Sequence, residues 1–139
     1  MLLHIVARGK IGRSPEAELV GRYLKRIAWP TKVTELSDRA PMPAAPANSV
    51  SVVLDERGAS LSSTDLAKKL GQWRNDGKRE ARFLIGAADG HDEEQRRSAD
   101  HLLSFGPATW PHLLVRAMLA EQLFRATSIL ASHPYHRDG

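Results

Sequence analysis

The segment from Pro111 to Arg137 constrains this chain more than any other. Of the eighteen residues from Leu113 to Leu130, twelve are apolar, and the polar remainder is Arg116, Glu121, Gln122, Arg125, Thr127 and Ser128. A surface helix in a small domain carries one apolar stripe. This one is apolar over most of its circumference and is expected to pack on two sides, against the chain's own sheet and against a second copy of the chain. Arg116, Glu121 and Arg125 argue against a membrane span, for which the run is also short. Thr109 and Pro111 suit the helix start, and Pro134 stops helix beyond it. The tail then reads Ser132-His133-Pro134-Tyr135-His136-Arg137. Two His, a Tyr and an Arg in its last five residues is dense chemistry for an end that would otherwise fray.

The 139 residues suit a single domain spanning 1–139. With 42% hydrophobic and 26% charged residues, the composition is that of an ordinary globular protein. The absence of cysteine excludes a disulfide framework, a thiolate metal site and a thiol nucleophile. Leu2 to Ala7 is too short and wrongly flanked for a signal peptide, so the expected location is cytoplasmic. The formal charge is +4. Residues 1–40 hold eight Lys/Arg and four Asp/Glu, whereas residues 41–139 hold twelve of each, so the whole excess lies near the N-terminus. A local positive field favours a polyanion, nucleic acid being the commonest.

In chain order, Leu2 to Ala7 reads as a buried strand and Arg8 to Arg13 as a flexible basic loop. Ser14-Pro15-Glu16 starts a helix, and Lys32 to Leu36 is a weak second strand. Arg39 to Asn48, with three Pro and four Ala, is a connector. Val50 to Asp55 is a strong strand, Ser62 to Asp65 caps a helix that ends near Asp76-Gly77, and Arg82 to Gly86 is a fourth strand. Asp92 with Gln95 caps a helix expected to run to about Leu103. Strands alternating with helices predict an α/β fold, a mainly parallel sheet with helices on both faces.

Ligands of such sheets sit outside the carboxyl ends of the strands. That rule gathers Leu54–Gly58, Gly86–Gly90 and Phe105–Trp110 on one rim. No dinucleotide fingerprint or P-loop occurs. The loop Phe105–Trp110 feeds the long helix, whose first N–H groups suit a ligand carboxylate. In the tail, His133 and His136 stand three apart, but Pro134 prevents a helical presentation and no neighbouring carboxylate completes a metal set. Base or phosphate recognition fits better: Tyr135 stacks, Arg137 pairs with phosphate and His136 handles a proton. His4, His91 and His101 read as structural, while His112 ends the rim.

Leu54-Asp55-x-x-Gly58, Phe83-Leu84-Ile85-Gly86 with Gly90, Pro111-His112-x-Leu114-Val115-Arg116 and His133-Pro134-Tyr135-His136-Arg137 occur in that order. Together they resemble the RlmH family of ribosomal RNA large-subunit methyltransferases, of the SPOUT class, over nearly the whole chain. The resemblance implies a C-terminal trefoil knot and a homodimer. It implies S-adenosylmethionine as methyl donor, bound by Leu54, Gly86, Phe105, Gly106, Pro107, Ala108, Thr109 and Trp110. It implies transfer to N3 of a pseudouridine in 23S rRNA within the assembled ribosome, with neither membrane nor metal. Residue chemistry adds His136 and Tyr135 as catalytic candidates, and Arg8, Lys10, Arg13, His112 and Arg137 as RNA contacts. The family usually reads Gly-Gly-Pro-Glu-Gly where this chain has Gly86-Ala87-Ala88-Asp89-Gly90. If the second position needs positive φ, Ala87 carries strain. The competing classes are a non-catalytic RNA-binding or ribosome-associated module and a metal hydrolase built on His133 and His136.

Overall fold

A computed structural model describes residues 1–87 and 93–137. The expected turn Ala88-Asp89-Gly90, His91 and the Asp92 cap lie outside the described residues. The elements are β1 (Leu2–Arg8), α1 (Pro15–Arg26), β2 (Thr31–Leu36), β3 (Ser49–Ser60), α2 (Ser63–Asn75), β4 (Glu80–Ile85), α3 (Glu93–Ser98), β5 (His101–Ser104) and α4 (His112–Leu130). The five strands form one sheet in the order β2-β1-β4-β3-β5, and their pairings are parallel.

Strand alternation sorts the apolar side chains into two layers. Leu3, Ile5, Ala7, Val52, Leu54, Phe83 and Ile85 face one side and pack with Ile27, Leu66, Leu70, Trp73, Leu119 and Leu123. The three long helices therefore share this face. Val6, Val53 and Leu84 face the other side, packed against Met42 of the connector and Ala99 just past α3. Helices do lie on both faces, though unevenly, because among the described residues the second has only the six-residue α3 and the Pro/Ala connector. Arg8 and Arg82 hold that connector down: Arg8 Nη1 donates to the carbonyls of Ser37 and Ala40 at 2.9 and 2.7 Å, and Arg82 Nη1 to that of Pro43 at 2.6 Å.

Three local expectations are corrected. The helix through Asp92 stops at Ser98, and His101–Ser104 is a strand. Four residues are too few to carry a strand's period against a helical background. β3 continues past Asp55 to Ser60: Leu54 and Ala59 both align with Leu103 of β5, so Asp55–Gly58 are extruded between them. Gly58 is required there, since a Cβ would lie 2.6 Å from the carbonyl carbon of Leu102. Ala87 is not among the described residues with positive φ, which besides glycines are Asn48 and Ser132.

The covering of α4 also differs from expectation. Most of its apolar circumference is covered by α1 and α2 of the same chain, through Val20 against Ala117 and Ala120, and through Leu66, Leu70 and Trp73 in the main core. Arg116, at 1% exposure, is neutralised inside by Glu35 at 2.5 Å. Among the described residues, no helix is long and apolar enough to cross a membrane.

Candidate functional site

At the carboxyl ends of β3, β4 and β5 the chain surrounds a cavity of about 860 Å³, within the range of small-ligand sites. Leu54, Gly86, Phe105, Gly106, Ala108, Thr109 and Trp110 line it, as does His112. Seven of the eight residues expected for the donor thus meet in one place; Pro107 is not on the wall. Asp55 and Glu56, within the expected rim segment Leu54–Gly58, also line it, as do Arg96 and Val115, for which no site role was expected.

The rim is held by its own polar groups. Ser104 Oγ accepts from Gly106 N–H at 3.0 Å and contacts the Gly106 carbonyl at 2.8 Å, which fixes the turn at Gly106, where φ is +101°. Trp110 Nε1 donates to the Phe105 carbonyl at 3.3 Å, closing the loop on itself. Thr109 Oγ1 donates to Glu56 at 3.2 Å, tying the loop to the extruded segment. This pairing replaces the helix-capping role expected for Thr109. Pro111 occupies the cap and makes no side-chain cap bond, so the first turn of α4 opens toward the cleft.

Asp55 forms the second brace, accepting from Arg96 Nε at 2.5 Å and from Arg57 N–H at 2.8 Å. Burial pushes its carboxyl up, but those donors outweigh burial and hold it below the usual carboxylate range. Arg96 lies on α3, which buries none of its residues. A charge pair 41 positions apart, on a helix without an apolar stripe, leaves no periodic trace in the sequence.

The basic loop is fixed from behind. Glu35 accepts from Arg116 and, at 2.9 Å, from Ile11 N–H, and these donors hold its carboxyl low. Gly9 sits against His112, whose Nε2 lies 3.8 Å from where a Gly9 Cβ would be. Lys10 and Arg13 are exposed, whereas Arg8 is engaged by the connector.

The tail is placed elsewhere in the chain. Ser132, at φ +56°, donates from its N–H to the Ile129 carbonyl at 3.1 Å, and His133 N–H to that of Ser128 at 2.8 Å. This is a helix-ending turn with serine where glycine is usual. It folds the tail back on α4. Tyr135 packs on Phe124 at 4.4 Å between ring centroids, lies under the Arg125 guanidinium at 4.7 Å and donates to Glu121 at 3.2 Å. Burial and the Glu121 carboxylate raise its phenol, which stays protonated at neutral pH. Arg125 Nη1 donates to His136 Nδ1 at 3.2 Å. Glu121 is nine residues from His112, about 13 Å of rise and half the circumference away. His136, Tyr135 and Arg137 are therefore not brought to the cleft of their own chain. His4, bridging Glu80 at 3.2 Å and Thr34 at 2.7 Å, and His101, stacked on Trp73, are structural. Among the described residues, no group of His, Asp or Glu could hold a metal ion.

Similarity to known proteins agrees with this geometry. A family model described as "Predicted SPOUT methyltransferase" matches residues 1–136. Among solved structures, the fold is similar to a probable methylase family protein from Haemophilus influenzae, with a TM-score of 0.64 over 98% of this chain and 70% of that one at 11% identity. It is also similar to the SpoU methyltransferase AviRb from Streptomyces viridochromogenes, whose structure holds the cofactor AdoMet, with a TM-score of 0.53 over 95% and 59% at 12% identity. The class is thus the SPOUT methyltransferases. Proteins named ribosomal RNA large subunit methyltransferase H are 68% identical in Rhizorhabdus wittichii and 58% identical in Zymomonas mobilis, each covering 100% of both chains. The chain belongs to this ribosomal RNA large subunit methyltransferase H family.

Proposed function

We propose that this chain, as one domain with its C-terminal segment threaded as a trefoil knot, transfers a methyl group from S-adenosylmethionine to N3 of a pseudouridine in 23S rRNA. It works in the cytoplasm on the assembled ribosome. The observation that carries the reading is the meeting of three strand-end loops in one braced cleft, on a chain whose relatives are rRNA methyltransferases. When bound, the donor supplies a methyl carbon already activated on a sulfonium. What remains for the protein is alignment and removal of the N3 proton. Leu54, Gly86 and the loop from Phe105 to Trp110 hold the donor. The Ser104, Glu56 and Trp110 hydrogen bonds keep that loop in one shape, and Pro107 stiffens it from outside the wall. The open first turn of α4 suits a carboxylate.

The nucleotide is gripped from a second copy. Tyr135, His136 and Arg137 lie on the far side of α4 from their own cleft, so they serve a partner's cleft in a homodimer. The half-buried Leu113, Leu114 and Met118 offer contact surface for that partner. Arg125 Nη1 lies 3.2 Å from His136 Nδ1 and orients that ring. His136 meets the base, and a water it orders takes the N3 proton. Lys10 and Arg13 meet phosphate, and His112 joins them at the rim.

The test is mass mapping of rRNA nucleosides from cells with and without the gene, paired with calorimetry against S-adenosylmethionine. Loss of one methylated pseudouridine together with stoichiometric donor binding supports the reading. An unchanged nucleoside map rejects the substrate, and no heat with the donor leaves a non-catalytic RNA-binding module.

A further inference from the structure

A second cavity, of about 600 Å³, lies on the other face of the sheet between the connector and α3. It shares no lining residue with the cleft. Ser51, Arg82 and Leu84 are its floor, and Glu94, Gln95 and Ser98 stand on its α3 side. Arg82 is 5% exposed. Its Nη1 reaches the Pro43 carbonyl and its Nη2 reaches Ser51 Oγ at 3.4 Å, while its Nε is buried with no hydrogen-bond partner. No carboxylate among the described residues pairs with it. Glu80, two positions along the strand, is taken by His4. Arginine is almost never fully buried without a counter-charge. The other buried arginine, Arg116, has one in Glu35. Around the cavity, Arg8, Arg39 and Arg82 outnumber Asp38 and Glu94.

We propose that this cavity is a second binding site, taking a phosphate-type oxyanion that supplies Arg82 with the counter-charge that no described residue gives it. The guanidinium, whose Nη2 is held only by the 3.4 Å contact to Ser51 Oγ, suits a phosphate oxygen. The group is either a free phosphate compound or a phosphodiester of RNA passing over the connector, away from the reacting base.

The experiment follows the Nε–H resonance of Arg82 by proton–nitrogen NMR in the full-length protein. Inorganic phosphate is titrated first, then a 23S rRNA stem-loop. A saturable shift with phosphate assigns a free anion, and a shift with the stem-loop alone assigns the RNA backbone. The phosphate arm does not depend on the rRNA reading of the cleft. Arg82→Gln is expected to weaken the titrated affinity at least about tenfold. Because that variant removes a buried connector contact, two surface variants accompany it. Glu94→Gln is expected to tighten binding about threefold and Ser98→Glu to weaken it about threefold, the scale of one partly screened charge. A resonance that neither titrant moves, or an affinity indifferent to both surface variants, overturns the proposal.

Discussion

The two ends of α4 are built on opposite plans. The end at His112 has a proline in the cap, no side-chain cap bond, and a cleft in front of it. At Leu130 the chain turns back through paired carbonyls, and Glu121, Arg125, Tyr135 and His136 form one connected cluster. The first end is organised around a space, with the Asp55–Arg96 and Glu56–Thr109 contacts acting as its frame. The second is organised around itself and points away from that space. One faces a cleft; the other gathers aromatic and basic groups on its own surface. A long helix thus separates the two, and it is the proposed dimer that would reunite them.

The largest expected effect breaks the open end alone. Gly58→Ala puts a methyl into the backbone of β5, and relieving that overlap should cost about 3 kcal/mol. Thermal melting should shift down by several degrees, and donor binding should disappear from calorimetry. A variant that melts and binds like the parent would show that the extruded segment does not shape the cleft.

The next breaks the other end. Truncation after Ser132 should lower methyl transfer about 100-fold, the usual scale of a lost proton-handling group, with donor affinity nearly unchanged. Mixed with a Gly106→Val chain, whose cleft loop is strained by the positive φ, the truncated chain should regain activity, because each mixed dimer holds one complete site. Absence of rescue would place the tail's action within its own subunit.

How much of this could be read from the residues alone follows from which contacts are local. The rim was legible because strands of apolar residues announce their ends, and ligand sites of parallel sheets gather there. The brace between Asp55 and Arg96 was hidden, as was the fourfold extrusion before Ala59, because neither leaves a period. His101–Leu103 looks helical from sequence because the strand there, His101–Ser104, is short. The covering of α4 by α1 and α2 leaves no separate trace, since an apolar surface does not say whose helix meets it. Arg8 was grouped with Lys10 and Arg13 by adjacency, whereas folding ties it to connector carbonyls.

That distinction gives a smaller effect. Replacing Lys10 and Arg13 by Gln should lower the slope of log affinity for RNA against log salt by about 1 to 2. Arg8→Gln should instead show mainly as lost stability, since its donors go to Ser37 and Ala40. Equal slopes for the Lys10/Arg13 variant and the parent would remove the loop from the RNA surface. The smallest effect concerns acid. Asp55 has a lowered folded-state pKa, so its contribution is complete above the unfolded value and fades as pH falls through the folded one. Stability should therefore decline below about pH 4, and Asp55→Asn, lower at neutral pH, should decline less. Parallel pH profiles for the two proteins would dissociate the brace from acid lability.

The outermost strands have a consequence for how the chain behaves in a crowded solution. A parallel sheet left open at both margins invites lateral growth into fibres. Here one margin, β5, is four residues long, and the other, β2, carries Lys32 and Glu35 along its length. Brevity on one flank and charge on the other discourage stacking of sheets edge to edge, so association is steered toward helices and not toward amyloid.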